Sequence, residues 1–189
     1  SNNLLGGETM FEDWKRKYID WQSNNLWKKT KSTREKKFLN WSDVNRVVVL
    51  ISYDIPHNEE ISNIIKMLDN KEVEVWCNIT TKQYLRQDYD KVTFFNSEST
   101  NLFGKPNKVI EGKFLSFNAD VLIDLTSGEN LPLKYLLKIS RAVCKCGQNK
   151  EFYQSLYDLE ISANGKLTKT ELLSQILHYL KTIMGKRTP

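Results

Sequence analysis

The sequence predicts one three-layer α/β domain on a mostly parallel sheet of five or six strands, preceded by a basic amphipathic helix. Three observations carry this. Short β-branched runs alternate with stretches of helical period along most of the chain, the pattern of right-handed β–α–β crossovers. The runs are apolar throughout, as in strands covered on both faces. The chain has 189 residues, 40% of them hydrophobic, enough for one ordinary core.

The elements follow in order. Residues 1–10, "SNNLLGGETM", are expected to be a tag or disordered lead, and residues 11–40 a helical extension. Within the extension, Phe11, Trp14, Tyr18, Trp21 and Leu26 recur at intervals near three and four, which places an aromatic stripe against the domain. The domain proper is expected over 41–185. "RVVVLIS" (46–52) is the first buried strand. "HNEEISNIIKMLDN" is a helix with Asn58 as its cap and Glu59 and Glu60 in the first turn, where the helix dipole favours them. "VEVWCNIT" (73–80) and "KVTFFN" (91–96) are strands two and three, with "TKQYLRQDY" a short helix between them. A loop with Gly104 and Pro106 then leads to a short helix near Lys108–Phe114. "DVLIDLT" is strand four. "LPLKYLLKISRA" is a helix with Pro132 in its first turn. "VCKCG" and "YDLEIS" are strands five and six. The last helix opens with a capping box, Thr168 with Glu171, and buries Leu172, Ile176, Leu177, Leu180 and Ile183. The long link before strand four marks a crossover, so the strand order is 3-2-1-4-5, with the sixth unassigned.

Charge is localised. The formal net charge is +5, and residues 1–37 hold 9 basic and 5 acidic residues. Lys28, Lys29, Lys31, Arg34, Lys36 and Lys37 gather at the end of that segment. They form either a solvated helix face or an arm for an acidic macromolecular partner through salt-sensitive contacts. No Arg-rich repeat or aromatic RNA-reading pattern accompanies them, so specific nucleic-acid binding is not indicated. No apolar run reaches membrane-spanning length, and no secretory signal pattern opens the chain. Cys77, Cys144 and Cys146 are too few and too oddly numbered for a disulfide framework. Together these point to a reducing, cytoplasmic setting. Cys144 and Cys146 share one side of a strand and read as small apolar residues. No metal site is expected, since neither His57 nor His178 stands in ligand spacing with them.

In a sheet of this order, ligands sit beyond the carboxyl ends of the strands where the winding reverses, between strands one and four. The stretch "FNADVLIDLTSGENLP" brings Asp124, Thr126, Ser127, Gly128 and Glu129 to that edge. Ser52, Tyr53 and Asp54 end strand one, and Asn101, Gly104 and Lys105 come from the crossing loop. Two readings stand. Asp54, Asp124, Thr126, Ser127 and Lys105 line a ligand site in which the two carboxylates hold a hydroxyl or a hydrated magnesium ion and Lys105 meets a phosphate, or Asp124 caps or anchors a neighbouring loop. The loop after strand one has no G-x-G-x-x-G, and the chain has no P-loop and no nucleophile elbow. No cofactor or catalytic residue is therefore named.

The segments "FGKPN", "ADVLIDLT", "LPLKYLLKISRAVCKCG", "YDLEI" and "QILHYLK" together resemble an uncharacterised family of short bacterial proteins. In that family a lysine-rich segment precedes a Rossmann-like domain. The resemblance covers about residues 11–183 and implies that fold and a bacterial cytoplasmic setting, with no assigned function. "DVLIDLT" through "VCKCG" is also similar to a strand–helix–strand unit in the N-terminal half of heptosyltransferase-type glycosyltransferases. That likeness implies topology only, because those enzymes hold the nucleotide sugar with a second domain. The sequence therefore favours a non-enzymatic binding or adaptor protein. The alternative is a nucleotide or phosphorylated-metabolite site, enzymatic or not, at the carboxyl edge of the sheet.

Overall fold

The computed structural model describes residues 3–30, 34–37, 39–68, 70–82 and 90–182. Its centre is a six-stranded sheet in the order β3-β2-β1-β4-β5-β6, with every neighbouring pair parallel. The strands are β1 (Arg46–Tyr53), β2 (Glu72–Ile79), β3 (Val92–Phe95), β4 (Val121–Asp124), β5 (Cys144–Gln148) and β6 (Leu159–Ile161). The predicted order thus holds, and the unassigned sixth strand closes the sheet beyond β5. The helices are α1 (Asn3–Thr30), α2 (Asn58–Met67), α3 (Lys108–Ser116), α4 (Leu131–Ile139) and α5 (Lys169–Thr182).

Alternation along the central strands builds two cores. Val47, Val49 and Ile51 of β1, with Val121 and Ile123 of β4, face α2 and α5. Cys77, Cys144 and Cys146 lie in the same core. Val48, Leu50 and Leu122 face the other way, toward Phe114 of α3 and Leu133, Leu136 and Leu137 of α4. Both faces are dry because successive side chains of a strand point to opposite sides and both sides are helix-covered.

Helix α1 is a further layer over α4. Ile19 is fully buried in the α3/α4 core. Polar pairs fix the rest of the contact. Arg16 grips Glu129, Lys138 donates to Asp20 at 2.5 Å, and the Trp27 indole donates to the Lys138 carbonyl at 2.9 Å. These pairs rotate the helix away from the expected orientation. The line Arg16, Asp20, Ser23, Trp27 faces the domain, so Trp14 and Trp21 of the aromatic stripe point outward and stay 60% and 58% exposed. The helix also begins at Asn3, within the stretch expected as a lead, and ends at Thr30.

Local signals mostly hold. Thr168 and Glu171 exchange the two hydrogen bonds of a capping box at α5. Pro132 sits in the first turn of α4, capped by the Asn130 side chain. Helix α2 starts one residue earlier than expected, with His57 rather than Asn58 at the cap position. Most of the short helix expected over 81–89, together with Lys31 and Ile183, lies outside the described residues.

Candidate ligand-binding crevice

Asn78, next to last in β2, faces the α4 side of the sheet and is buried. Its amide donates to the Phe95 carbonyl at the end of β3 (3.4 Å), and its carbonyl oxygen accepts from the Asn130 amide at 2.9 Å. Asn130 in turn caps α4 through Leu133 N (3.0 Å), and its own N–H donates to the Tyr153 hydroxyl at 3.1 Å. Two carboxamides thus tie the carboxyl ends of β2 and β3 to the start of α4.

Above this pair lies an open crevice of about 610 Å³, within the usual size of small-molecule sites. Thr80, Ser97 and Thr100 give it hydroxyls, and Leu102, Phe103 and Leu131 give it apolar wall. The Asn101–Lys105 turn shapes one side. The Asn101 side-chain oxygen Oδ1 accepts from Phe103 N and Lys105 N, and its side-chain amide donates to the Tyr18 hydroxyl of α1 at 2.8 Å. Gly104 takes φ +84°, and a Cβ there would stand 3.3 Å from the Leu131 Cβ, so the turn needs glycine.

The charges at the crevice are paired. Arg16 donates from Nε to both oxygens of Glu129, at 2.8 and 2.9 Å, and Lys134 adds a contact at 3.4 Å. The Glu129 bond holds the Arg16 guanidinium above its ordinary pKa. Burial lowers Lys134, against the pull of Glu129. Glu12 and Lys15 of α1 pair at 3.1 Å. The lining is therefore close to neutral, and its remaining polar groups are hydroxyls and amides, Thr80 donating to Asp54 and Thr100 to the Ser97 carbonyl.

A family model of a family of unknown function, DUF6913, matches residues 15–183. The chain belongs to the DUF6913 family. No curated protein and no solved structure matches it. The expectation of an uncharacterised family stands, while the likeness to heptosyltransferase-type enzymes finds no support in these comparisons. The matched span of this DUF6913 chain takes in the docking residues of α1, from Arg16 to Trp27, along with the whole sheet.

The residues expected at the carboxyl edge of the DUF6913 sheet scatter into several environments. Asp124 is 1% exposed. Its Oδ1 accepts from Thr126 N (2.9 Å) and Thr126 Oγ1 (2.6 Å), and its Oδ2 from Lys150 Nζ (3.0 Å) and Tyr157 OH (2.5 Å). Lys150 also reaches the Thr126 carbonyl. Four donors use up the carboxylate, and burial followed by the Asp124 charge pushes the Tyr157 hydroxyl far above its ordinary pKa. Asp54 accepts from the Thr80 hydroxyl, and its carbonyl from the Thr81 hydroxyl. Ser127 is exposed and lines a separate hollow beside Lys166 and Lys169. Lys105 turns away from the crevice, 3.5 Å from Glu111 and over the Tyr135 ring. Burial pushes Glu111 up, but the Tyr135 bond and the two nearby lysines outweigh it and leave it lowered.

The basic group divides as well. Arg34 is an internal clamp: it donates to the carbonyls of Ala142 (2.6 Å) and Val143 (3.3 Å) and pairs with Asp158. Lys28, Lys29, Lys36 and Lys37 are exposed, Lys36 standing 3.8 Å from Asp158. Of the edge residues read from sequence, Asn101, Gly104 and Glu129 line the crevice. Asn78 and Asn130 went unread. Asn130, three residues before Leu133 and two before Pro132, carried an N-cap signal that names it, whereas nothing marks Asn78 until β3 is laid beside β2.

Proposed function

We propose that this protein is a non-catalytic binding module for a small uncharged ligand rich in hydroxyl or amide groups, the size of a nucleoside or a sugar. The observation that carries the reading is the crevice's chemistry: a buried Asn78–Asn130 carboxamide pair as floor, hydroxyls on the walls, and each lining charge paired. A phosphate group placed there meets Glu12 and Glu129. Taking Arg16 or Lys134 from Glu129 strands a largely buried carboxylate, which costs more than it returns. Lys15, in a weak, half-exposed pair with Glu12, offers little in compensation. A neutral ligand replaces water on the hydroxyls and lays its ring against Phe103 and Leu131.

Saturation-transfer NMR on the full chain with neutral nucleosides and sugars tests this. Binding signals are expected from at least one of them. They should vanish in Thr100→Trp, which fills the mouth while leaving the melting temperature unchanged. Signals that survive in the variant, or that come from anionic ligands alone, would overturn the reading.

A further inference from the structure

On α1, Met10, Trp14, Lys17, Trp21, Asn24 and Lys28 are all exposed. They recur at alternating steps of four and three, so they form one straight stripe across the helix from the fully buried Ile19 and Ser23. From Met10 to Lys28 the stripe runs roughly 27 Å at the helical rise. Beside it, Phe103 packs on Phe11 and Tyr18, and Leu102 stands 77% exposed at the crevice mouth. The helix therefore presents two bare tryptophans, a methionine and aromatic flanks, with Lys29 continuing the positive end.

From this stripe we infer that the outward face of α1 lies on a bilayer surface that carries anionic headgroups. Three physical points select that occupant. Tryptophan is favoured at the membrane interface, where its ring sits among headgroups and its N–H stays wet. Lysine is depleted in protein–protein interfaces but adds to binding at an anionic bilayer. A second copy of the chain is disfavoured: in a parallel pairing Lys17, Lys28 and Lys29 would face their own counterparts, and in an antiparallel one Lys28 would be buried against Met10 and Lys17 against Trp21 with no acidic partner. The contact is peripheral: no helix among the described residues is long and apolar enough to cross a membrane. This inference is independent of the crevice reading, since it uses none of the crevice's polar groups.

The test is co-sedimentation of the full chain with vesicles of phosphatidylcholine alone or of equal parts phosphatidylcholine and phosphatidylglycerol. Binding is expected on the mixed vesicles, with a blue shift of tryptophan emission, and little on phosphatidylcholine. Lys17→Gln/Lys28→Gln/Lys29→Gln should weaken it on the order of a hundredfold. Trp14→Ser/Trp21→Ser should abolish the blue shift. Both variants alter exposed side chains, and unchanged far-ultraviolet dichroism and melting temperature will confirm their fold. Equal binding to both vesicle types, or binding indifferent to both variants, overturns the inference. So does a photo-crosslinker at position 14 that yields a discrete protein adduct when the mixed vesicles bind nothing.

Discussion

Asp124 accepts from Thr126 twice, from Lys150 and from Tyr157, and it is almost wholly out of water. A carboxylate so used is a joint between β4 and the β5–β6 connection. Asp124→Asn removes the charge that balances Lys150 inside the protein, so a loss of about 3–5 kcal/mol in urea unfolding is expected. Ligand binding in the crevice by the folded variant should be unchanged. Lys145 gives the opposite case. It is buried on β5, donates to the Leu137 carbonyl at 2.6 Å, and burial, with Arg34 adding to it, brings its pKa down to about 7. Between that value and the ordinary one near 10.4, the unfolded chain binds more protons than the folded one, so stability rises with pH across this window. Measured against Lys145→Met, wild type should gain a few kcal/mol between pH 7 and pH 10; a flat difference would contradict the assignment. At this scale the sequence was half legible. Asp124 was visible as a polar strand end, but its partners lie 26 and 33 residues away, and only the pairing of β4 with β5 brings them near. Tyr157 reaches it by lying on Gly147, where a Cβ would stand 2.4 Å from the ring; "VCKCG" shows the glycine without showing why.

Among the elements, α1 matters most to both proposals. Its inner face supplies part of the α3/α4 core and the roof of the crevice, and its outer face is bare. Ile19→Ala should cost about 2–5 kcal/mol in chemical denaturation, as for other buried aliphatics. Trp14→Ser should change stability by less than about 0.5 kcal/mol. Equal, negligible effects at the two sites would make α1 an appendage rather than part of the domain. The strands were legible because runs such as "RVVVLIS" and "DVLID" have one physical use, a strand buried on both sides. The orientation of α1 was not, because aromatic residues at helical spacing predict an apolar stripe without predicting what it meets. The charge pairs with Glu129 and Lys138 decide the rotation, and those partners lie more than a hundred residues along the chain.

At the scale of the whole molecule, the switch in strand order does what such a switch does in open parallel sheets. Chain leaves β1 and β4 toward opposite faces of the sheet, and the crevice opens to one side of that point, over the carboxyl ends of β2 and β3 and the start of α4. Topology pointed to the carboxyl edge of the sheet between β1 and β4, whereas the crevice lies beside it at β2, β3 and α4, so of the edge residues read from sequence only Asn101, Gly104 and Glu129 reach it. The charges at the crevice are spent on one another, Arg16 and Lys134 on Glu129 and Lys15 on Glu12, and the other polar groups of its lining are amides and hydroxyls. This neutrality is the central claim, and calorimetric titration of matched nucleoside and nucleotide pairs tests it most directly. The account predicts that whichever pair binds, the uncharged member binds more tightly, and that Thr100→Trp removes both signals. Tighter binding of the phosphorylated member would show a cation available in the crevice that the Arg16–Glu129 and Lys15–Glu12 pairs are held to consume, and would contradict the account.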